Sequence, residues 1–412
     1  MSSLSKREMC VLAEVRARAA DMAATVERWS NINSGSRNPA GLREMRDILA
    51  ERLAPLADRI EICPPDPVTA LNDGGEEQPV LHGDNVRARK RTDAPRRVLL
   101  TGHMDTVFAA NDPFQRCRMV QPGVLNGPGT ADMKGGLLIL LEAIRAVEDE
   151  GALSGLGWDV VINADEEVSS LGSASLLRRA AQGCAIGLTF EPSLTPDGVL
   201  AGARAGSGNF TACVRGRAAH AGRNPEGGRN AVVAAADLAL RLDRWARQDA
   251  GVSANIARVS GGGPSNIVPD LALLWWNMRP ADAAAQLRAE QAVEDERNRI
   301  EREHDVSVQI HGRFHRPPKP MDDRHRALFA FVEGIGADLG LALPSCPTGG
   351  VCDGNNIAAE GLAVIDTLGA RGGAIHTADE FLILDSLVER AGLAAITMMR
   401  LAEGRLDGEV QW

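Results

Sequence analysis

Five short strings in this chain carry side chains that could ligate a metal or move a proton. They are GHMDTV with His103 and Asp105, GPGTADMKGG with Asp132, ADEEVSSLGS with Glu166 and Glu167, FEPS with Glu191, and IHTADE with His376. Each has an ordinary explanation when taken alone. A single histidine is most often structural, adjacent glutamates often mark a solvated turn, and an aspartate ahead of a helix can serve as its cap. Together, two imidazoles and three carboxylates form the donor set that Zn²⁺ takes when two ions share a bridging carboxylate. Rival chemistries lack their residues: the glycine-rich string does not end in GK[ST], and neither a GxSxG elbow nor an HExxH helix occurs.

The elements that must hold these residues are legible around them. Apolar Val98–Leu100 runs into GHMDTV, Trp158–Ala164 runs into the acidic cluster, and Ile186–Phe190 ends at Glu191. A helix from about Leu137 to Glu148 follows the glycines of ADMKGG. Strands alternating with helices predict an α/β domain with a largely parallel sheet, and such sheets carry ligands at the carboxyl ends of their strands. Upstream, Lys6 to Trp29 reads as one amphipathic helix, followed by the turn NINSGSRN, a helix from Gly41 to Leu56 and a short strand at Ile60–Ile62. The segment 64–97 reads as exposed loops and edge structure.

The pattern changes near Gly206. Strands at 208–216, 253–260, 266–278 and 306–313, with helices at 228–247 and 281–303, give the β-α-β-β-α-β order of a ferredoxin-like unit. It reads as a domain, 206–318, inserted between segments 1–205 and 319–412, with RPPKP as its return linker. Helices at 324–340 and 382–403 and a strand at 362–366 complete the α/β part.

Composition narrows the function classes. With 44% hydrophobic and 24% charged residues the chain has the make-up of a soluble globular protein. Aromatics are 3% with no tyrosine, which leaves few stacking surfaces for single-stranded nucleic acid. A net charge of −10 disfavours phosphate backbones and anionic membranes. The charged N-terminus has no apolar leader core, and no stretch is long and apolar enough for a membrane span. Seven cysteines without a CxxC point to reduced thiols and a cytoplasmic location.

Further strings follow in order: RAAHAG (217–222), GGPSNIVPD (262–270), NMRP (277–280) and GGVCDGNN (349–356). With the five above, they make nearly the whole chain resemble the co-catalytic zinc family of succinyl-diaminopimelate desuccinylase, acetylornithine deacetylase, aminoacylase and the bacterial folate-cleaving glutamate carboxypeptidase. That resemblance implies a zinc-exopeptidase-like mixed sheet flanked by helices, with an inserted ferredoxin-like α+β dimerisation (lid) domain that closes over the site. It implies two zinc ions per subunit, with cobalt or manganese as substitutes, and a homodimer formed through 206–318. His103, Asp132 and Glu191 would hold one ion; Glu167, His376 and the bridging Asp132 would hold the other, with a cis peptide after Asp132. Asp105 would accept the free ring N–H of His103 and fix its tautomer.

By the same resemblance Glu166 would be the general base for a metal-activated water. His220 would reach the partner subunit's site and stabilise the oxyanion. Asn266 and Arg279 would grip a substrate carboxylate, which suits a planar guanidinium. Gly350 lies in a loop that would approach the substrate closely. Cys352 departs from the serine or threonine usual at its position, which removes a hydroxyl. The remaining histidines, at 82, 304, 311, 315 and 325, sit in charged or loop settings and are expected at the surface.

The reaction implied is hydrolysis of an amide whose leaving amine carries an α-carboxylate, acting on a small molecule with a free carboxylate. The strings lie nearest the glutamate carboxypeptidase branch. An N-acyl-amino-acid deacylase is the alternative, and a catalytically silent metal-binding dimer is the reading from another class.

Overall fold

A computed structural model describes residues 4–410. Its main sheet has six strands in the order Arg59–Cys63, Asn85–Lys90, Leu156–Asn163, Arg96–His103, Ile186–Thr189 and Ala363–Ile365. The last four run parallel to one another; Asn85–Lys90 adds to their edge antiparallel, and Arg59–Cys63 pairs antiparallel with it in turn. All eight residues of Leu156–Asn163 are buried, as a central parallel strand covered on both faces requires. The helices Gly136–Asp149 and Asp385–Ala402 pack together within the largest apolar core.

The carboxyl ends of the four parallel strands lie side by side at one edge. His103, the turn at Glu166–Val168, Glu191 and Asp366 all follow directly from those ends. Close packing there restricts the residues: a Cβ on Gly136 would lie 2.0 Å from the carbonyl oxygen of Phe190. Gly136 therefore lets the helix it opens start against the chain that delivers Glu191.

A second sheet is antiparallel throughout, in the order Val252–Gly261, Leu271–Pro280, Ser207–Arg215, Ser307–Arg316. The helices Ala231–Gln248 and Ala283–His304 cover one face with their own apolar core. Strict alternation along Leu271–Pro280 explains this: Ala272, Leu274, Trp276 and Met278 point into that core. The intervening Asn277 and Arg279 face the main-sheet side. A hairpin, Val68–Leu71 with Glu77–Val80, leans on the same face: Arg215 donates to the carbonyl of Gly75 at 3.1 Å, and Arg258 pairs with Asp73 at 2.8 Å.

Three expectations change. The first helix is two, Lys6–Ala17 and Ala19–Ser30, because Arg18 leaves helical geometry and forks onto Glu142 at 2.5 and 3.0 Å. Segment 64–97 holds regular structure, including the sheet strand Asn85–Lys90. The strand expected at 266–278 begins only at Leu271. No helix among the described residues is long and apolar enough to cross a membrane.

Candidate metal centre and active site

Two groups of ligating atoms converge at the strand ends, and they share one residue. The first is His103, Asp132 and Glu191; the second is Asp132, Glu167 and His376. His103 Nε2 lies 3.2 Å from Asp132 Oδ1 and 3.7 Å from Glu191 Oε2. His376 Nε2 lies 3.2 Å from Asp132 Oδ2 and 3.1 Å from Glu167 Oε2. Asp132 thus offers one oxygen to each group, and the peptide that follows it is cis.

The backbone around these atoms is held by two buried carboxylates. Asp105 accepts the amides of Glu166 and Glu167 at 3.1 and 3.2 Å and the hydroxyl of Ser36 at 2.7 Å. The ring Nδ1 of His103 sits 3.0 Å from the carbonyl oxygen of Asp105 and 3.3 Å from its carboxylate. Glu380 accepts the amides of Gly129, Ala131 and Asp132, which fixes the turn that presents Asp132. IHTADE contains Glu380, but the sequence offered no partner for it.

Electrostatics mark the cluster as unbalanced. Burial, with Asp132 nearby, pushes the Glu167 carboxyl up to about 8. Burial also pushes Glu191 up to about 7 against the pull of His103. Hydrogen bonds to Asp132 and Glu167 raise His376 to about 11. Oε1 of Glu167 and Oε1 of Glu191 are buried without a hydrogen-bond partner. Unpaired buried carboxylate oxygens beside two imidazoles are the donors a divalent cation of the zinc type requires, so the residues fit such a metal.

Glu166 borders this cluster and pairs with a residue the sequence did not single out. Arg316 Nη1 donates to Glu166 Oε1 at 2.5 Å, and Nη2 donates to the Glu166 backbone carbonyl at 2.8 Å. Burial raises the Glu166 carboxyl despite the opposing charge of Arg316.

A cleft of about 550 Å³ opens from the two candidate ligand groups toward the second sheet, and Asn209, Asn277, Arg279, His315 and Gly350 line it. Arg279 donates to the carbonyl of Gly349 at 2.7 Å and to the Asn277 side chain at 3.2 Å, both neutral partners. His220 and Asn266 do not line this cleft. They lie together on an exposed part of the inserted segment, where the amide of Ala221 donates to the Asn266 carbonyl at 2.9 Å. The ring Nδ1 of His220 accepts the amide of Gly222 at 3.1 Å, which leaves Nε2 to carry the proton.

Three of the five histidines expected at the surface are elsewhere. His315 lines the cleft at a bulge between Phe314 and Arg316, where burial and neighbouring arginines push its ring down to about 4. A bulge of this kind re-aims a side chain. His325 is buried at the start of the Asp323–Asp338 helix, beside its cap Asp322 at 2.6 Å. The His82 ring is buried near Asp165. His304 and His311 remain partly exposed, near Asp237 and Glu77. Cys352 is buried, and its sulfur, in place of a hydroxyl, caps the Asp353–Ala359 helix by accepting the Gly354 amide at 3.3 Å.

Residues 99–400 match the model of peptidase family M20/M25/M40. Carboxypeptidase G2 of Pseudomonas sp. (strain RS-16) is 29% identical over 395 residues, covering 92% of this chain and 89% of that protein. Succinyl-diaminopimelate desuccinylase of Stenotrophomonas maltophilia (strain K279a) is 30% identical over 343 residues, covering 77% and 87%. Among solved structures, an M20 family metallo-carboxypeptidase from Sulfolobus solfataricus superposes with a TM-score of 0.68 at 14% identity, covering 93% of this chain and 99% of that one. At that identity the match speaks for the fold.

Proposed function

The chain belongs to peptidase family M20/M25/M40 and hydrolyses peptide or amide bonds, and on that premise we propose a two-zinc amidohydrolase that releases a C-terminal amino acid from a small peptide or N-acyl amino acid. The observation that carries this reading is the pair of ligand groups sharing Asp132 beside Glu166. His103, Asp132 and Glu191 would hold one ion, and Asp132, Glu167 and His376 the other, with cobalt or manganese able to substitute. Bound there, the ions would supply Lewis acidity toward the amide carbonyl and a water of lowered pKa.

The chain's own residues do the rest. Glu166 takes the proton of the attacking water and returns it to the leaving amine. Asp105 orients His103 and the Glu166–Glu167 turn. Arg279, whose hydrogen-bond partners among the described residues are neutral, binds the substrate carboxylate, and Gly350 lets the substrate backbone approach. His220 stabilises the oxyanion in the site of the second subunit, in a homodimer formed through 206–318, and Asn266 beside it grips the substrate carboxylate there. Their exposure outside the cleft, and the proton on His220 Nε2, support that role. In this reading 1–205 and 319–412 form the catalytic domain, and 206–318 closes over it to exclude water. The seven cysteines are free, in keeping with a cytoplasmic enzyme.

The similarity to carboxypeptidase G2 over 92% of the chain favours the carboxypeptidase branch. The desuccinylase relatives favour an N-acyl-amino-acid deacylase as the second reading. An amine-release assay across dipeptides and N-acyl amino acids separates them. Turnover of peptides and aroyl-amino acids is expected. Turnover confined to N-acetyl or N-succinyl diamino acids would replace the first reading with the second, and turnover of none would indicate a silent metal-binding dimer. For His220→Ala we expect an intact dimer with low kcat; wild-type kinetics would remove the role in the second subunit.

A further inference from the structure

Arg316 is the last residue of the strand Ser307–Arg316, where the inserted segment returns to the main-sheet domain. Its backbone pairs with Ser207, at the start of the first strand of that segment. Its side chain does not follow the strand outward. It turns into the main-sheet domain, is 3% exposed, and makes three bonds to one short turn. Nη1 donates to Glu166 Oε1 at 2.5 Å, while Nη2 donates to the Glu166 carbonyl at 2.8 Å and to Ser170 Oγ at 3.1 Å. Among the described residues, Glu166 Oε2 receives no hydrogen bond, and Glu166 borders the cleft.

A guanidinium that donates to two acceptors of one residue determines where that residue's carboxylate points. A lysine has one mobile nitrogen and cannot hold side chain and backbone in the same planar fork. The Asp105 carboxylate accepts the amide of Glu166 at 3.1 Å. Glu166 is thus held at its amide, its carbonyl and one carboxylate oxygen, which leaves Oε2 to face the cleft.

We propose that Arg316 is a positioning residue for Glu166, holding the free carboxylate oxygen toward the reacting amide and tying that orientation to the strand on which the inserted segment is hinged. The inference rests on the reading of Glu166 as the general base. Arg316 also lines the cleft, but in this role it acts through Glu166. Misplacing a catalytic group by about 1 Å costs on the order of 10²-fold in rate.

The test is a double-mutant cycle of Arg316→Met and Glu166→Gln on the full chain, reading kcat, KM, bound zinc per chain and thermal midpoint. For Arg316→Met we expect kcat lower by about 10²-fold, KM within about threefold and zinc content unchanged. Arg316→Lys should recover part of kcat. The double variant should be no slower than Glu166→Gln alone, because Arg316 has nothing left to orient. Should Arg316→Met not fold, Arg316→Gln, which keeps an N–H donor, is read by the same criteria. Two results would overturn the proposal: wild-type kcat in the folded Arg316 variant, or losses that multiply in the double variant. Full activity in Glu166→Gln alone would instead remove the general-base reading on which it stands.

Discussion

Four parallel strands end side by side, and their ends part into two kinds of buried charge. Three deliver His103, Glu166–Glu167 and Glu191, which meet Asp132 and His376 in a cluster with more carboxylates than nearby cations. The fourth, Ala363–Ile365, delivers Asp366, which is as deeply buried but fully matched. Arg204 forks onto Asp366 at 2.8 and 3.0 Å, and Lys319 Nζ lies 2.8 Å away. Arg204 and Lys319 also exchange backbone hydrogen bonds where the inserted segment leaves and rejoins the main-sheet domain. Burial raises Glu167 and Glu191, whereas the charges of Arg204 and Lys319 outweigh burial and hold Asp366 below the usual carboxylate range. Opposite charge balance at neighbouring strand ends separates a cluster with room for added cations from an anchor complete in itself.

Substitutions at the two places should therefore fail in different ways. The largest effect is expected for Asp132→Ala, which removes an oxygen from both ligand groups. Zinc per folded chain should drop from two to less than one, and turnover should become undetectable; two retained equivalents would dissolve the shared-ligand geometry. Glu166→Gln should keep both equivalents and lose about 10³-fold in kcat. Asp366→Asn strands two buried cations, for which a loss of about 3–5 kcal/mol in unfolding free energy is expected, with zinc content intact in the folded fraction. Loss of zinc at unchanged stability would show that the fourth strand end belongs to the metal site after all. The smallest change should come from Asp73→Asn, at an exposed pair with Arg258 on the outlying hairpin, worth less than about 1 kcal/mol by denaturant unfolding.

The same contrast explains what could be read in the sequence. Ligands that follow apolar strands announce themselves, because an abrupt change from Val98–Leu100 to GHMD places polar atoms at a strand end. The β-α-β-β-α-β order was equally visible, since period-two and period-3.6 patterns alternate cleanly from 207 to 316. Charges whose partners lie far along the chain were not. Arg316 sits in a string that reads as a proline-rich linker, and its partner Glu166 is 150 residues away. Asp366 and Arg204 are 162 residues apart, so neither local setting reveals that they are matched. Glu380 and His315 were missed for a related reason: one bonds three backbone amides, and the other owes its aim to a bulge.

Stepwise addition of zinc to chelator-treated protein, with product release followed at each step, tests the proposed two-metal centre most directly. Turnover should be absent without metal and should rise to a plateau at two equivalents per chain. A plateau at one equivalent, or turnover in the metal-free protein, would contradict a centre built from two ligand groups joined at Asp132.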